Sequence, residues 1–521
     1  MRQLTSLDAQ FLGVESAKTY GHVAGFGIYD PSSAPGGKLE LADLCRNVSE
    51  RLHLLPPFRW KLVEVPFGID LPYWVEDPDF DIDFHIRDTA VPPPGDDRQV
   101  AETLARIFAR PLDRSHPLWE LYLIHGIRGG RVGVLTKVHH SVVDGVSGNE
   151  ILTILLDQSP EGREIDPPPG DEAGERVPGD LEMLARGLLG VPRQPVRALR
   201  SLPALPSITD VPGANAFPGV PTISRGLSYA RRLLGSEEPG VLEVTTARPP
   251  RTSFNGPVSA HRRFSFGSVS LDSVKAIKNE LGITVNDVVV ALVTTALREW
   301  LIDRDELPEK PLVSAVPVSV RSEEQVGTFG NRIGMMIVPI PTNEPDPRAR
   351  LMRTHELLKS AKERHRALPA NLLTDATSFI PPAVLARAAR TTIDVLGRTR
   401  PPVNLVISNV PGPREPLFLS GARLDAYFPA SVVVDGVGLN ITVMSYRDHM
   451  DFGIVADRKL VEDVWPLMDG CARALDELET VICGKKRPRA RSDAANGDGA
   501  ADAGDGVGAG AGGSRASRSG D

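Results

Sequence analysis

The sequence predicts a mixed α/β fold, in the broad sense that includes α+β, and three observations lead to that prediction. Some segments alternate apolar and polar positions as strands do, while others repeat apolar residues at helical spacing. Both kinds of segment occur before residue 157 and again after residue 256. A proline-rich stretch separates these two halves. Because strands and helices are mixed within each half, we assign the chain to the α/β class.

A β-hairpin is predicted near the end of the first half. Residues 118–127 (LWELYLIHGI) and 131–140 (RVGVLTKVHH) are strand-like, and an Arg-Gly-Gly turn at 128–130 joins them. Beyond His140 the apolar residues continue at helical spacing as far as Leu155. The sequence HHSVVDG therefore stands at a junction between a strand and a helix.

The second half contains two predicted helices and two predicted strands. Apolar residues recur at helical spacing over 271–281, and Gly282 provides a helix stop. A second apolar helix reaches Leu301 and begins near Asn286 and Asp287, residue types that favour the first turn of a helix. Two segments rich in β-branched residues are strand candidates, PLVSAVPVSV (311–320) and VNLVISNV (403–410).

Shifts in composition divide the chain into four parts. Prolines interrupt helical patterns at short intervals between residues 158 and 255, as expected for a long crossover between folded halves. From residue 484 onward there is no aromatic residue and one β-branched residue, Val507, so this part cannot bury enough apolar surface to fold. The predicted parts are an N-terminal subdomain (1–157), a crossover linker (158–255), a C-terminal subdomain (256–483) and a disordered tail (484–521).

Charge and cysteine content argue against several classes of protein. The chain has 59 Lys and Arg against 67 Asp and Glu, a formal net charge of −8, which disfavours a protein that coats nucleic acid. Its three cysteines do not have the spacing of a disulfide framework or a cysteine zinc site. Asp8 lies where a signal peptide would have its apolar core, and no apolar run reaches the roughly 18 residues of a membrane span. We therefore expect a cytoplasmic protein.

One cluster combines a base, an acid and a special backbone residue within seven positions. His139 and His140 supply the base, Asp144 the acid, and Gly145 a residue that can turn tightly. Histidine accepts a proton near pH 7, which the activation of an alcohol or amine nucleophile requires. If both histidines end the strand, they face opposite sides, so only one can serve a given site. His140 would then share its face with Val138.

The same cluster has a purely structural interpretation, in which two buried histidines end a strand and Asp144 caps the next helix. A metal site is disfavoured, because adjacent strand histidines diverge and the local sequence supplies no third ligand. A serine nucleophile elbow is missing, since GVSGN places Asn149 where that motif requires glycine. The segment GVGLNI (436–441) likewise breaks the glycine-rich phosphate fingerprint.

Five other segments accompany HHSVVDG along the chain. They are LTSLDAQFL (4–12), PLDRSHPLW (111–119), VNDVVVA (285–291), PVSVR (317–321) and SNVPGP (408–413). Together they resemble the bacterial wax ester synthase/acyl-CoA:diacylglycerol acyltransferases, members of the CoA-dependent acyltransferase superfamily, over residues 4–480. The HHxxxDG pattern by itself indicates only the superfamily, and PLW, the Asn-Asp pair and NVPGP narrow the resemblance to this family.

The resemblance implies two chloramphenicol-acetyltransferase-like subdomains with an active-site tunnel where they meet. It also implies that a hydroxyl attacks the thioester of a long-chain fatty acyl-CoA directly, without a covalent enzyme intermediate. The acceptor would be diacylglycerol, which gives triacylglycerol, or a fatty alcohol, which gives a wax ester. No metal and no cofactor are expected, with acyl-CoA as a co-substrate.

Roles for the residues of the cluster follow from the resemblance. His140 matches the second histidine of the motif, the general base that takes the proton of the acceptor hydroxyl. His139 would support it from the other face of the strand. Asp144 would form a structural ion pair, with Arg321 as the candidate partner, and Gly145 would allow the turn into the helix.

Further candidates lie in the second half. Asn286 and Asp287 match the family's Asn-Asp motif, and they either cap a helix or shape the tunnel. Ser408 and Asn409 stand at the end of a strand. A polar side chain or backbone amide must stabilise the thioester oxyanion, but the sequence does not identify this donor.

Two basic features concern possible partners. Arg262 and Arg263 would either contact the phosphates of CoA or form a solvated surface pair. The crossover segment 181–205 sets arginines among leucines, so it would dock on an anionic membrane or a lipid droplet unless its leucines pack against the protein.

Two other functions stay open from the sequence. A related enzyme of the superfamily would take its acyl group from a carrier protein instead of from CoA. A non-catalytic homologue would bind lipid at a membrane or droplet without turnover. The acyl chain length and the preferred acceptor depend on the shape of the tunnel, which the sequence does not determine.

Overall fold

A computed structural model describes residues 1–143, 148–167, 176–190, 249–319, 333–366, 401 and 403–484. The strands are β1 (Arg2–Gln3), β2 (His22–Asp30), β3 (Trp60–Val63), β4 (Tyr73–Glu76), β5 (Ile86–Ala90), β6 (Trp119–Ile127), β7 (Arg131–His139), β8 (Arg262–Ser270), β9 (Leu312–Ser319), β10 (Ile333–Ile340), β11 (Leu405–Val410), β12 (Phe418–Leu419), β13 (Ala422–Ala430), β14 (Leu439–Tyr446) and β15 (His449–Asp457). The helices are α1 (Ser6–Gly13), α2 (Leu41–Arg51), α3 (Ile82–His85), α4 (Asp97–Phe108), α5 (His140–Val143), α6 (Gly148–Leu155), α7 (Asp180–Gly190), α8 (Leu271–Leu281), α9 (Val285–Ile302), α10 (Pro347–Arg366) and α11 (Trp465–Cys483).

Two six-stranded sheets contain most of these strands. The first sheet has the order β12-β13-β2-β7-β6-β5, with β5 parallel to β6 and the other neighbours antiparallel. The second sheet has the order β10-β9-β11-β14-β15-β8, in which β11 runs parallel to both of its neighbours. The strands β1, β4 and β3 form a third, smaller sheet. The mixture of sheets and helices confirms the predicted α/β class.

The first sheet is completed by strands from the second half of the chain. β13 pairs antiparallel with β2, from Arg423 opposite Asp30 to Ala430 opposite Ala24. Where β13 meets β15 of the second sheet, a Cβ on Gly453 would overlap the carbonyl oxygen of Pro429, so this close approach requires glycine. The backbones of β13 in the first sheet and β15 in the second sheet are therefore in direct contact. Residues 1–485 form one compact unit. The division at residues 157 and 256 stays a prediction.

The core of the second sheet is built around α9. This helix is apolar on nearly all sides and almost wholly buried, which is typical of a helix that is covered by protein all round. It packs against α8, α10 and α11. The buried side chains of these helices form one continuous cluster with those of the second sheet.

The predicted local elements agree with the structure. β6 and β7 form the expected antiparallel hairpin, and Gly129 and Gly130 of its turn have φ values of 78° and 72°, which favour glycine. α8 ends at Gly282 with a φ of 65°, the predicted glycine stop. β9 and β11 confirm the two strand candidates of the second half.

No single described helix is both long enough and apolar enough to cross a membrane. α8 and α9 pass that test only when taken together, by length and composition, and they are bent by 109° at the break between them.

Candidate active site

His139 and His140 lie at the junction between β7 and α5. β7 ends at His139, and His140 is the first residue of α5. The strand alternation therefore stops before His140, so the prediction that His140 shares a strand face with Val138 is wrong. The backbone fixes both residues, because the His139 N–H donates to the carbonyl of Leu118 (2.9 Å) and the His140 N–H donates to the carbonyl of Gly21 (2.8 Å).

The ring of His139 is buried and contacts polar groups at both nitrogens. The Ser141 N–H donates to Nδ1 (3.2 Å), and the Ser141 hydroxyl lies 2.6 Å from the same atom. Nε2 lies 3.2 Å from Oε1 of Glu15, a close contact whose angle is not that of a good hydrogen bond. Because a backbone N–H can only donate, Nδ1 is the acceptor, and the proton of the neutral ring is on Nε2, which faces the carboxylate.

Glu15 follows α1 and is held by three groups. Its Oε1 accepts a hydrogen bond from the Gly21 N–H (2.7 Å), and its Oε2 accepts one from Nη2 of Arg114 (2.7 Å). Burial alone would raise the pKa of the Glu15 carboxyl, but the contacts with His139, Arg114 and the Gly21 N–H outweigh burial and lower that pKa to about 2. Glu15 is therefore ionised at neutral pH.

Arg114 joins this carboxylate to the end of α1. Its Nη2 also donates to the carbonyl of Leu12 (2.8 Å), one of the last carbonyls of the helix. On the solvent side, Nη1 lies 3.4 Å from Oε1 of Glu64, whose side chain is 66% exposed. Arg114 thus contacts one partly buried and one exposed carboxylate.

The ring of His140 packs against α1. Phe11 stacks on it with ring centroids 4.0 Å apart and an interplanar angle of 11°. Nδ1 is buried and has no hydrogen-bond partner within the described part of the chain. Burial lowers the pKa of His140 to about 4. The ring is therefore neutral at pH 7, the form that accepts a proton.

Two of the family segments of the second half meet at their polar residues. Nδ2 of Asn409, on β11, lies 3.4 Å from Oδ1 of Asn286, on the first turn of α9. Ser408 precedes Asn409 on β11. This contact joins the Asn-Asp segment to the SNVPGP segment, a proximity that the sequence did not predict.

Asp287 has the capping geometry that was one of its two predicted roles. Its Oδ2 accepts a hydrogen bond from the Thr284 N–H (2.8 Å), and the Asp287 N–H donates to Oγ1 of Thr284 (3.2 Å), which forms a capping box. Oδ2 also lies 2.8 Å from Nδ1 of His355 on α10. Asp287 therefore fixes the start of α9 and ties it to a neighbouring helix.

Arg262 is not a solvated surface residue, which corrects that one of its two predicted alternatives. Its side chain is buried, and its guanidinium donates to the carbonyls of Ser259 (2.7 Å) and Lys18 and stacks over the ring of Tyr20. These contacts join the two halves of the chain and engage the guanidinium of Arg262. Arg263 is half-buried, and both arginines line a cleft of about 480 Å³.

Three of the predicted site residues, Asp144, Gly145 and Arg321, lie outside the described residues. Among the residues that the structure does describe, no group of three or more His, Cys, Asp or Glu side chains could hold a metal ion.

Comparison with known proteins identifies the family. A family model described as the wax ester synthase/diacylglycerol acyltransferase catalytic domain matches residues 4–289. The chain belongs to this family. A second model, described as the WS/DGAT C-terminal domain, matches residues 329–479. The predicted resemblance is thus confirmed.

Relatives along almost the whole chain carry matching names. A Mycobacterium tuberculosis protein named as a diacylglycerol O-acyltransferase is 35% identical over 490 residues, which cover 94% of this chain and 92% of that protein. A Mycobacterium bovis protein of the same name is 33% identical over 482 residues, which cover 91% of this chain and 98% of that protein. The protein is therefore an acyltransferase, as the sequence predicted.

Solved structures of acyltransferases share the fold. The wax ester synthase/diacylglycerol acyltransferase of Marinobacter aquaeolei is 28% identical, with a TM-score of 0.65 over 93% of this chain and 100% of that chain. A trichothecene 15-O-acetyltransferase of Fusarium sporotrichioides is 13% identical, with a TM-score of 0.52 over 91% of this chain and 94% of that chain. This second likeness shows the fold alone.

The surroundings of the histidines in this acyltransferase include five residues that the sequence did not indicate. Phe11 and Arg114 lie inside the family segments LTSLDAQFL and PLDRSHPLW. Those segments are the sequence feature that could have indicated these two residues. Glu15, Gly21 and Ser141 contact the histidines but stand outside the segments or at positions without an assigned role. Only the folded chain brings them together.

Proposed function

We propose that the protein transfers a long-chain fatty acyl group from acyl-CoA to the hydroxyl of diacylglycerol, which makes triacylglycerol, and also uses fatty alcohols to make wax esters. The observation that carries the proposal is the neutral ring of His140, stacked on Phe11, in a chain of this family. The names of the relatives and of the Marinobacter structure support these two acceptors.

His140 would act as the general base. Nδ1 is buried, so we assign Nε2 as the ring nitrogen that meets the substrate hydroxyl. As Nε2 takes the hydroxyl proton, the oxygen attacks the thioester carbonyl and forms a tetrahedral oxyanion. Collapse of this species breaks the C–S bond, and the imidazolium returns the proton to the departing thiolate, so the products are an ester and free CoA. General-base help of this kind is typically worth about 10² to 10⁴ in rate.

The other residues of the cluster would support this step. His139 would hold the strand end in place, Asp144 would pair with Arg321 as a structural ion pair, and Gly145 would allow the chain to turn into α6. Ser408 and Asn409 would contribute polar groups to the wall of a tunnel between the two halves, near the oxyanion. These assignments follow the family motif at the matching positions.

For CoA, Arg263 is the better candidate of the arginine pair, because the guanidinium of Arg262 already donates to backbone carbonyls. Its Nε is buried and has no hydrogen-bond partner among the described residues. A buried donor of this kind is available to bind an anion. Other charged residues line this cleft: the arginines Arg98, Arg106, Arg262 and Arg458 and the carboxylates Glu102, Glu462 and Asp463. If the phosphates of CoA bind here, Arg263→Ala should raise the KM for acyl-CoA and leave the kcat unchanged; an unchanged KM would exclude this site.

A peripheral position on the cytoplasmic face of a membrane or on a lipid droplet would give access to both lipid substrates. Phe67 and Leu181 are 86% and 84% exposed, and α7, which contains Leu181, packs against the turn of Phe67. Large exposed apolar side chains on two elements that contact each other are typical of a lipid-facing surface. The double substitution of both residues by serine should weaken flotation with anionic liposomes, whereas Ile302→Ser, at another exposed apolar position, should not.

Thiol release from palmitoyl-CoA tests the proposed reaction. The purified protein receives diacylglycerol, hexadecanol or no acceptor, and the free CoA is measured over time. We expect release that depends on the acceptor, and the two rates rank the acceptors. No stimulation by either acceptor, with protein shown to be folded, would contradict the proposal. In that case an acyl-carrier-protein donor or a non-catalytic lipid role becomes the better explanation.

A further inference from the structure

Glu15 and Arg114 form a partly buried ion pair beside the two histidines, and neither belongs to the HHSVVDG motif. We propose that this pair is a positioning element for acyl transfer, which fixes His140 in its working place without touching substrate. The inference rests on the proposed function, in which His140 is the general base. Two separate paths of contacts lead from the pair to His140.

The first path runs through the backbone of Gly21. Oε1 of Glu15 accepts the Gly21 N–H (2.7 Å), and the carbonyl of Gly21 accepts the N–H of His140 (2.8 Å). Both hydrogen bonds belong to one residue, immediately before β2, so a displacement of Glu15 moves the acceptor of the His140 backbone. The same Oε1 lies 3.2 Å from Nε2 of His139, so the carboxylate also limits the position of the neighbouring ring.

The second path runs through α1. Arg114 donates to the carbonyl of Leu12 (2.8 Å) while it holds Glu15, so it ties down the last turn of this helix. Phe11, the neighbour of Leu12 in the sequence, stacks on the ring of His140. The Arg114 guanidinium therefore holds both Glu15, which leads to the His140 backbone, and the helix whose Phe11 stacks on the His140 ring.

Glu15, Gly21 and His139 are tightly packed against one another. A Cβ on Gly21 would overlap Nε2 of His139 and would lie 3.2 Å from Oε1 of Glu15, so the carboxylate, the glycine backbone and the ring are in direct contact. A second glutamate that contacts Arg114, Glu64, allows a comparison with Glu15. Glu64 contacts the same arginine, through Nη1 at 3.4 Å, but it is exposed and has no contact with either histidine.

The test compares Glu15→Gln with Glu64→Gln in the full-length protein. Glutamine keeps the volume of Glu15 and an oxygen for the Gly21 N–H, but it removes the charge that holds Arg114 and faces His139. We measure kcat and KM for palmitoyl-CoA with hexadecanol from pH 6 to 8.5, and the melting temperature of each variant. Misplacement of a catalytic group by about 1 Å costs on the order of 10² in rate, so we expect kcat of Glu15→Gln to fall by about 10- to 100-fold.

Three further readouts separate positioning from other roles. KM should stay within about threefold of the wild type, because the pair does not contact acyl-CoA. The loss of kcat should be the same at every pH, since Glu15 remains ionised over this whole range. Glu64→Gln should behave as wild type. If Glu15→Gln does not fold, Arg114→Lys tests the same pair, because lysine keeps the charge and loses the paired N–H geometry.

The outcomes distinguish this inference from the proposed function. A wild-type protein without acceptor-dependent turnover would overturn the proposed function and the inference with it. An active wild type in which folded Glu15→Gln, or folded Arg114→Lys, keeps kcat within twofold would overturn the inference alone. A rate loss that grows as the pH falls would also overturn it, because Glu15 or His139 would then take part in proton transfer.

Discussion

The lowered pKa of His140 predicts an unusual pH dependence of acyl transfer. The ordinary pKa of histidine is 6.5, and burial brings that of His140 to about 4. At 1.36 kcal/mol per pH unit, this difference favours the neutral ring by about 3 kcal/mol. The base should therefore keep its neutral form well below pH 6, and kcat/KM should show no fall from His140 until the pH approaches 4 to 5.

Phe11→Ala is the perturbation that tests the cause of this shift. The phenyl ring stacks on His140 at 4.0 Å, so its removal admits water to the imidazole and reduces the burial that lowers the pKa. We expect the acidic limb of kcat/KM to move upward by about one pH unit or more. Phe11→Tyr keeps an aromatic ring in the stack and should keep the wild-type limb.

The assay is CoA release from palmitoyl-CoA with hexadecanol between pH 4.5 and 8, with protein that is shown to be folded at each pH. The same shift affects stability. Because the folded pKa lies below the unfolded value, the unfolded chain binds more protons between pH 6.5 and 4, and the free energy of unfolding decreases as the pH falls through that window. A wild-type limb near pH 6.5, or identical limbs in wild type and Phe11→Ala, would refute the reasoning.

Three other outcomes are expected. Gly21→Ala places a methyl group against the ring of His139, so it should destabilise the protein by about 1 to 3 kcal/mol and abolish most turnover; normal kcat would contradict the geometry. Burial raises the pKa of Asp451 from 3.8 to about 6, so its ionisation opposes folding at neutral pH. The stability of Asp451→Asn relative to wild type should therefore increase by about 2 to 3 kcal/mol when the pH is raised from 4 to 7, as measured by denaturant titrations. A stability difference that does not change with pH would contradict this. A chain that ends at residue 483 should keep thiol release within about twofold, because the composition of residues 484–521 predicts a segment that does not fold, and loss of turnover would contradict that prediction.

Local patterns predicted the elements that hold the candidate site. The alternation in residues 131–140 predicted β7, and the change to helical spacing after His140 predicted the junction at which the base lies. The glycine at 282 and the polar residues on the first turn of α9 likewise marked real helix boundaries. These features depend on neighbours within a few residues, so the sequence contains them directly.

Contacts between distant segments could not be predicted in this way. Glu15 and Arg114 are 99 residues apart, and each is an ordinary charged residue in its local sequence. Arg262 has the sequence signature of a surface cation, yet the carbonyl of Lys18, 244 residues away, accepts its hydrogen bond and explains its burial. β13 joins the first sheet although its residues follow the second-half strand β11, a pairing that depends on the topology of the whole chain.

The most direct test of the central claim is product formation by His140→Ala. Wild type and variant, matched in melting temperature, receive radiolabelled palmitoyl-CoA with diacylglycerol, and the labelled triacylglycerol is separated and counted. With His140 as the general base, the wild type forms triacylglycerol and the variant loses about 10² to 10⁴ in rate. Triacylglycerol formation by the variant at a rate near that of wild type would contradict the assignment of His140 as the base.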